Sequence, residues 1–241
     1  MRLNKFLSLT GISSRRKADQ LILEGKISVN GEIVKLLGTQ INEIKDVIRI
    51  DGNTINFFPK NNFTYLVFHK PKGCLCTSSD DRNRKTIFDY IKSEGTRLFS
   101  VGRLDYNTEG IILLTNDGEM ANKLMHPSYE IQKKYLVKIS SSISESELAL
   151  LRKGVLLDDG YKTMPAKIRV TEKLKEATKL EVSIKEGKNR QIHRMFKAIG
   201  KEVIFLKRTD YGPIHLGGLS RGSYRPLSNM ELEMLKSILG D

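Results

Sequence analysis

Cysteine is scarce in this sequence, and its scarcity limits both cross-linking and metal binding. Cys74 and Cys76 are the only two cysteines, and a single residue separates them. A disulfide between such near neighbours would be strained, and a metal site needs more ligands than this pair and the nearby His69 supply. The zinc signature of the nucleobase deaminases is also missing. We therefore expect two reduced structural thiols and no bound metal.

The sequence also lacks the glycine-rich loops that bind nucleotide phosphates. Neither the Gly-x-x-x-x-Gly-Lys-Ser/Thr pattern nor the Gly-x-Gly-x-x-Gly fingerprint occurs in it. A nucleotide cofactor therefore has no support, and we expect no cofactor of any kind. If the protein is an enzyme, we expect its side chains alone to catalyse the reaction.

Long hydrophobic runs are absent as well. No apolar stretch approaches the length needed to cross a membrane, and residues 1–5 do not open the apolar segment of a signal peptide. A hydrophobic content of 39% and a charged content of 29% are those of a globular protein. We expect a soluble cytoplasmic monomer with no membrane association.

Positive charge, by contrast, is in clear excess. The 241 residues carry 41 Lys and Arg against 28 Asp and Glu, which gives a net charge of +13. Such a balance predicts a polyanionic partner, most simply a nucleic acid. The length is sufficient for one large domain or for one large and one small domain.

Residues 1–60 predict a small module of two short helices and a hairpin sheet. Two apolar stripes at helical spacing each end at a glycine, Gly11 and Gly25. Asn30-Gly31 lies between two alternating segments, which is a strong hairpin signal. Residues 57–63 are rich in turn formers and predict the boundary with a larger domain.

Three consecutive cations lie on the first turn of the second predicted helix, namely Arg15, Arg16 and Lys17. A solvated helix start is the simple explanation, although cations at this end oppose the helix dipole. The same helix start is a binding site for anions. RNA phosphate alongside would explain the placement better, and we favour RNA docking here.

The remaining residues, 61–241, mix strands and helices without the regular alternation of a doubly wound fold. The mixture favours an α+β domain with a mixed, largely antiparallel sheet. Residues 64–68 are the first strand candidate, and we expect this strand to end at His69.

The most informative stretch is residues 101–110, Val-Gly-Arg-Leu-Asp-Tyr-Asn-Thr-Glu-Gly. It precedes an apolar run, residues 111–115, that is short and branched enough to be a buried strand. Asp105 then lies on a loop held by rigid structure, where reactive side chains are often carried. An ordinary hairpin loop is the alternative, because Asp, Asn, Thr and Gly are common turn residues.

Two later segments place aromatic and basic side chains at regular positions. In the strand predicted over residues 131–139, Tyr135 shares one face with Val137 and Ile139, so it is either a core aromatic or the floor of a pocket. A helix predicted after Gly187 carries an apolar stripe that includes Ile192. Its opposite face is either ordinary solvated surface or a phosphate track, and it carries Arg190, Arg194, Lys197 and Lys201.

Taken together, these motifs resemble those of the bacterial ribosomal-RNA pseudouridine synthases, in the branch that modifies a single uridine. Gly-Arg-Leu-Asp, three residues, Glu-Gly and an apolar strand ending at residues 114–118 resemble the active-site motif of that family. Lys-Pro-x-Gly at residues 70–73, Lys-x-Tyr at 133–135 and the stretch 187–195 are similar to its other motifs. Residues 1–60 resemble the αL-type RNA-binding domain at the amino terminus of this branch.

The resemblance implies isomerisation of a uridine to pseudouridine in ribosomal RNA, after the base has been flipped out of its stack. It implies that Asp105 acts as a nucleophile or as a base toward the sugar. Arg103 would enter the space that the base leaves, Tyr135 would stack on the uracil, and Ile192 would help to enclose it. Nearby cations would favour the ionised carboxylate, and the candidates are Arg103, Arg194 and Arg208.

His193 departs from the family pattern, which usually has Arg or Lys after Gln-Ile. Histidine is mostly neutral at physiological pH, so the cationic role belongs to His193, to Arg194 or to neither. The implied partner is ribosomal RNA or a precursor of a ribosomal subunit. A non-catalytic RNA-binding or ribosome-assembly protein would explain the charge equally well, but not the presence of Asp105 two residues after Arg103.

Overall fold

A computed structural model describes residues 1–55, 63–78, 80–92 and 96–240. The chain divides into two compact units. The first contains residues 1–55 with 96–97, and the second contains the other described residues. Apart from Phe63, the predicted boundary segment 57–63 lies outside the described residues.

The first unit consists of two short helices and a small antiparallel sheet, as the sequence predicts. Ser14 begins the second helix by accepting a hydrogen bond from the backbone N–H of Lys17 at 3.1 Å. Asn30 and Gly31 have φ angles of 54° and 92°, the left-handed conformation that a two-residue hairpin turn requires. The strands pair in the order β2-β1-β3-β4. The elements are α1 (Leu3–Leu9), α2 (Arg15–Leu23), β1 (Ile27–Val29), β2 (Glu32–Ile33), β3 (Ile48–Ile50) and β4 (Asn53–Thr54).

The second unit contains nine strands and four α-helices among its described residues. The strands are β5 (Tyr65–Lys70), β6 (Phe99–Val101), β7 (Glu109–Thr115), β8 (Lys133–Ile139), β9 (Lys167–Leu174), β10 (Ala177–Ile184), β11 (Val203–Tyr211), β12 (Ile214–His215) and β13 (Tyr224–Pro226). The helices are α3 (Gly118–Met125), α4 (Glu145–Lys153), α5 (Gln191–Ala198) and α6 (Asn229–Leu239).

These nine strands form one mixed sheet that is almost entirely antiparallel. Its main path is β13-β5-β7-β11-β8-β10-β9, with β6 added to β7 and β12 to β11. Among the described strands, only β7 and β11 pair in parallel. The predicted α+β class with a largely antiparallel sheet is therefore confirmed. No helix in the described ranges is both long and apolar enough to cross a membrane.

The first strand of this sheet is longer than the sequence predicts. β5 continues through His69 to Lys70, and both side chains are buried. The backbone of His69 pairs with the segment before β13, donating to Ser223 at 3.0 Å and accepting from Gly222 at 2.8 Å. The expected end at His69 was therefore wrong, because pairing with a distant segment extends the strand through two polar residues.

A row of directly paired residues crosses the middle of the sheet. Lys70 on β5 lies opposite Gly110 on β7, Gly110 lies opposite Arg208 on β11, and Arg208 lies opposite Tyr135 on β8. Directly opposed residues place their side chains on the same face of a sheet. The row therefore brings a lysine, an arginine and an aromatic ring to one face, with a glycine between the two cations.

Gly110 is the residue that allows this row to form. A Cβ atom at this position would lie 2.1 Å from the carbonyl oxygen of Arg208, and the φ angle of Gly110 is +121°. Any side chain would force β11 away from β7. The parallel contact that joins the two halves of the sheet thus depends on the absence of a side chain at one position.

We predict that Gly110→Ala lowers the free energy of unfolding of the second unit by about 3 kcal/mol or more. Overpacking contributes about 1–3 kcal/mol, and alanine at positive φ costs a further ~1 kcal/mol. Urea unfolding followed by far-UV circular dichroism measures the change, since the chain contains no tryptophan for fluorescence.

Gly160→Ala is the matched control. Gly160 also has a positive φ, +80°, but no atom lies within 4 Å of its Cβ position. We expect this substitution to cost only ~1 kcal/mol, the conformational part alone. Equal losses in the two variants would mean that close packing at Gly110 is unimportant.

Candidate active site

The loop between β6 and β7 presents Asp105 at the edge of the paired row. Leu104 is buried, Asp105 is half-buried and Arg103 is exposed. Leu104 belongs to the same buried cluster as Tyr135 and Ile192. The apolar side chain therefore anchors the loop, while the charged side chains on either side of it remain accessible.

Lys70 anchors the same loop from the sheet side. Its side chain is fully buried, and its ammonium group donates to the carbonyl oxygens of Thr108 at 2.9 Å, Asp105 and Pro71 at 3.0 Å, and Tyr106 at 3.4 Å. Burial lowers the pKa of Lys70, while the Asp105 carboxylate favours its charged form. One buried cation thus fixes the backbone on both sides of Asp105.

Cys76 holds the loop at a further point. Its sulfur accepts a hydrogen bond from the N–H of Leu104 at 3.3 Å and donates to the carbonyl oxygen of Leu104 at 3.4 Å. Burial raises the pKa of the Cys76 thiol, which keeps it protonated and able to donate. Cys74 and Cys76 are both free thiols, as the sequence predicts.

Arg208 lies inside the sheet rather than at its surface. Its side chain is 4% exposed, and its Nε donates to the carbonyl oxygen of Ile111 at 2.9 Å. The guanidinium lies 5.1 Å from the centre of the Tyr211 ring. Tyr135, its partner in the paired row, is also buried, with its ring in the core cluster. Arg208 therefore supports the strands beneath Asp105.

Helix α5 begins at a tightly bonded polar turn. The buried carboxylate of Glu186 accepts hydrogen bonds from the Tyr161 hydroxyl, the N–H of Met164 and the Gln191 amide. Gln191 in turn accepts from the N–H of Lys188 at 2.9 Å. These bonds fix the first turn of the helix that carries Ile192 and His193.

His193 on α5 lies near enough to Asp105 to be influenced by its charge. Burial and the neighbouring Arg190 lower the pKa of His193, and the Asp105 carboxylate acts in the opposite direction. His193 is half-buried, whereas Arg190, which begins the helix at a φ of 47°, is exposed. The imidazole of His193 is therefore mostly neutral at pH 7.

The four cations predicted on the outer face of this helix fall into two pairs. Arg190 and Lys197 are exposed. Arg194 forms ion pairs with Asp158 and, at 2.7 Å, with Asp159, and its side chain is only 16% exposed. Lys201 pairs with Glu147 at 3.0 Å with 17% of its side chain exposed.

Two of the four cations are thus paired with acidic side chains, and a phosphate track on this face stays a prediction. Helical spacing applies within α5, whereas Lys201 lies beyond the end of the helix at Ala198. Helical spacing does not predict the acidic partners of Arg194 and Lys201, because Asp158 and Glu147 come from other segments of the chain. Arg194 is engaged away from Asp105, and its role at the carboxylate finds no support in this geometry.

Comparison with known proteins identifies the family. Residues 64–198 match the RNA pseudouridylate synthases, and residues 1–48 match the S4 domain. The chain belongs to the RNA pseudouridylate synthase family. The resemblance stated from the sequence is thereby confirmed, as is the activity, the isomerisation of uridine in RNA.

Relatives of this pseudouridine synthase match it along its whole length. It is 42% identical over 239 residues to the ribosomal large subunit pseudouridine synthase B of Bacillus subtilis, covering 98% of this chain and 96% of the relative. An uncharacterized RNA pseudouridine synthase of Aquifex aeolicus is 41% identical, covering 100% and 95%. A crystal structure of a pseudouridylate synthase superposes with a TM-score of 0.71 at 32% identity, covering 98% and 99%.

Several residues that shape this site were not singled out from the sequence. Lys70 and Cys76 hold the Asp105 loop, and Glu186 fixes the start of α5. The sequence signals for Lys70 are its place in the Lys-Pro-x-Gly motif and at the end of an apolar strand. In the described ranges, no group of three or more His, Cys, Asp or Glu side chains is arranged to hold a metal ion.

We predict that Lys70→Met reduces pseudouridine formation by at least about a hundredfold, with RNA affinity much less affected. Loss of the ammonium group leaves several carbonyl oxygens without their donor, and hydrogen bonds to a charged group are worth about 1.5–3 kcal/mol each. Asp105 is then no longer held in one position, and misplacement by about 1 Å can cost a hundredfold in rate. Single-turnover rates and RNA binding by filter retention measure the two effects.

Lys72→Met is the control for stability, because it removes an exposed lysine from the same turn. We expect a change in unfolding free energy within about 0.5 kcal/mol, as for most surface substitutions. Equal effects of the two lysine substitutions on stability and rate would contradict the anchoring role of Lys70.

Proposed function

We propose that this pseudouridine synthase converts one uridine of large-subunit ribosomal RNA to pseudouridine, acting in the cytoplasm on the RNA or on a subunit precursor. The observation that carries the proposal is the rigidly held loop that presents the half-buried Asp105 carboxylate beside the paired row. The name of the Bacillus subtilis relative supports the large subunit as the source of the RNA. The net charge of +13 supports a polyanionic substrate.

The reaction breaks the bond between C1′ of the ribose and N1 of uracil, and then joins C1′ to C5. A stacked uridine hides these atoms, so the nucleotide is flipped out at a cost of about a few kcal/mol. Arg103 is exposed beside the catalytic loop and enters the space that the base vacates. Asp105 then acts on the ribose, either as the nucleophile or as the base that withdraws a proton from the sugar.

The uracil is held between apolar and aromatic side chains while it rotates. Tyr135 and Ile192 belong to the cluster that anchors the Asp105 loop, and they enclose the base from the core side. Arg208 is as deeply buried as Tyr135 and Ile192, and its Nε donates to the carbonyl oxygen of Ile111 on β7. It supports β7 and adds a positive charge beneath the base, which favours the ionised Asp105 carboxylate.

The S4 domain supplies affinity rather than chemistry. Arg15, Arg16 and Lys17 are exposed at the start of α2, where backbone N–H groups also favour an anion. These three cations bind the phosphate backbone, and so do the exposed Arg190 and Lys197 of the second unit. The boundary between the RNA-binding domain, residues 1–60, and the catalytic domain, residues 61–241, is part of this proposal, as is action as a monomer.

Tritium release from RNA labelled at C5 of uridine tests the proposal directly. C5 loses its hydrogen only when the base is reattached through that carbon. We expect release from transcripts of the large-subunit RNA and none from the small-subunit RNA, and we expect Asp105→Asn to abolish it while retaining RNA binding. Glu233→Gln, which neutralises an exposed carboxylate on α6, should behave as the wild type.

A protein that releases no tritium from either RNA, yet binds both with a steep dependence on salt, would instead be a non-catalytic RNA-binding protein. Release from the small-subunit RNA alone would retain the enzyme and reject the proposed substrate.

We further propose that His193 takes the place of the basic residue that the family usually has near the catalytic carboxylate. The influence of the Asp105 charge on His193 supports this assignment, and so do the ion pairs that hold Arg194 elsewhere. Because burial and Arg190 lower the pKa of His193, the imidazole is mostly neutral at pH 7 and gains charge only below its ordinary pKa.

The single-turnover rate should therefore rise as pH falls below about 6.5, because protonated His193 stabilises the Asp105 carboxylate and orients it. His193→Gln should lose this rise. His193→Arg should remove the pH dependence and be about three- to tenfold faster at pH 7.5, the effect of one added charge at several ångströms. His126→Gln, at an exposed histidine, is the control. Identical pH profiles for the wild type and His193→Gln would refute the assignment.

A further inference from the structure

Tyr106 is a large aromatic side chain left in solvent directly after the catalytic Asp105. It is 43% exposed. Its backbone is nevertheless fixed, because its carbonyl oxygen accepts hydrogen bonds from the N–H of Gly73 at 2.9 Å and from the ammonium group of Lys70 at 3.4 Å. The ring therefore projects from a rigid point on the loop.

The turn at Gly73 lies against one edge of this ring. A Cβ atom on Gly73 would lie 3.8 Å from the hydroxyl oxygen and 4.0 Å from Cζ of Tyr106. The residue nevertheless remains 43% exposed. An aromatic side chain whose position is already restricted loses little conformational entropy when another flat group stacks on it.

Charges near the ring favour a nucleic-acid strand at this position. Arg84 lies near Tyr106, but its charge is already paired with that of Asp80 at 2.6 Å, so Arg103 is the cation available to a strand here. Arg103 is exposed on the same loop. Cations beside an aromatic ring are the usual combination at sites that bind single-stranded nucleic acid, where phosphates meet the cations and bases stack on the ring.

Groups other than the Tyr106 ring hold the loop in place. Leu104 packs it onto the core, and Lys70 and Cys76 hold its backbone. A binding role for the ring agrees with its exposure and with its position next to Asp105.

We propose that Tyr106 stacks on an unpaired base adjacent to the target uridine and so helps to determine which uridine is modified. The inference rests on the proposed function, since it assumes that the RNA strand passes over Asp105. The neighbouring base takes the exposed face of the ring when the uridine is flipped toward Asp105, and its stacking offsets part of the free energy of flipping.

The test combines substitutions at Tyr106 with removal of single bases from the RNA. The substrate is a C5-tritiated fragment of the large-subunit RNA that spans the uridine mapped with the wild type. Two further fragments carry an abasic ribose on the immediate 5′ or 3′ side of that uridine. Single-turnover tritium release over a range of RNA concentrations gives the rate constant and the half-saturating concentration for each combination.

Tyr106→Leu should lower the ratio of rate constant to half-saturating concentration by about tenfold, the usual effect of losing one stacked base. Tyr106→Phe, which keeps the ring, should stay within about threefold of the wild type by the same reasoning. One abasic fragment should impair the wild type by about tenfold but impair Tyr106→Leu very little, because the stacking partner is already gone.

Leu150→Ala is the matched control, because it removes an exposed apolar side chain from α4. It should respond to both abasic fragments as the wild type does. Circular dichroism verifies that each variant is folded, and Tyr106→Ser replaces Tyr106→Leu should the latter fail to fold.

Equal abasic effects in the wild type and in Tyr106→Leu at both positions would overturn the stacking role while leaving the enzyme assignment intact. Absence of tritium release by the wild type would reject the proposed function, and the stacking role with it. The two failures are therefore distinguishable in a single set of measurements.

Discussion

The close contact between β7 and β11 at Gly110 is the constraint on which the rest of the second unit depends. It is the one parallel pairing among the described strands, and it joins β5 and β13 on one side to β8, β10 and β9 on the other. The backbones approach so closely that only glycine fits. Because of this contact, the Asp105 loop, which leads into β7, lies beside Tyr135, which comes from β8.

Burial of a single cation then determines how precisely the carboxylate is placed. The ammonium group of Lys70 has no water to solvate it, so it takes its ligands from the carbonyl oxygens around Asp105. These bonds restrict the motion of the loop, and catalysis by proximity requires such a fixed geometry. The same hydrogen bonds stabilise the buried charge of Lys70 and hold the backbone of Asp105 in place.

Much of this organisation could be predicted from local pattern. The Asn30-Gly31 turn, the shared face of Tyr135, Val137 and Ile139, and the apolar stripe of α5 all follow from backbone periodicity and turn chemistry. The contacts that are distant in sequence could not be predicted in the same way. Nothing local indicates that Asp158 neutralises Arg194, that Glu147 pairs with Lys201, or that a lysine can end a buried strand because a loop surrounds its ammonium group.

The parallel pairing also has a consequence for the order in which the protein matures during synthesis. Gly110 meets its partner only when residue 208 has left the ribosome, so the central row of the sheet is among the last features to assemble. The S4 domain, which matches residues 1–48, leaves the ribosome long before that point. A nascent chain would therefore gain the capacity to hold RNA well before it gains the capacity to modify it.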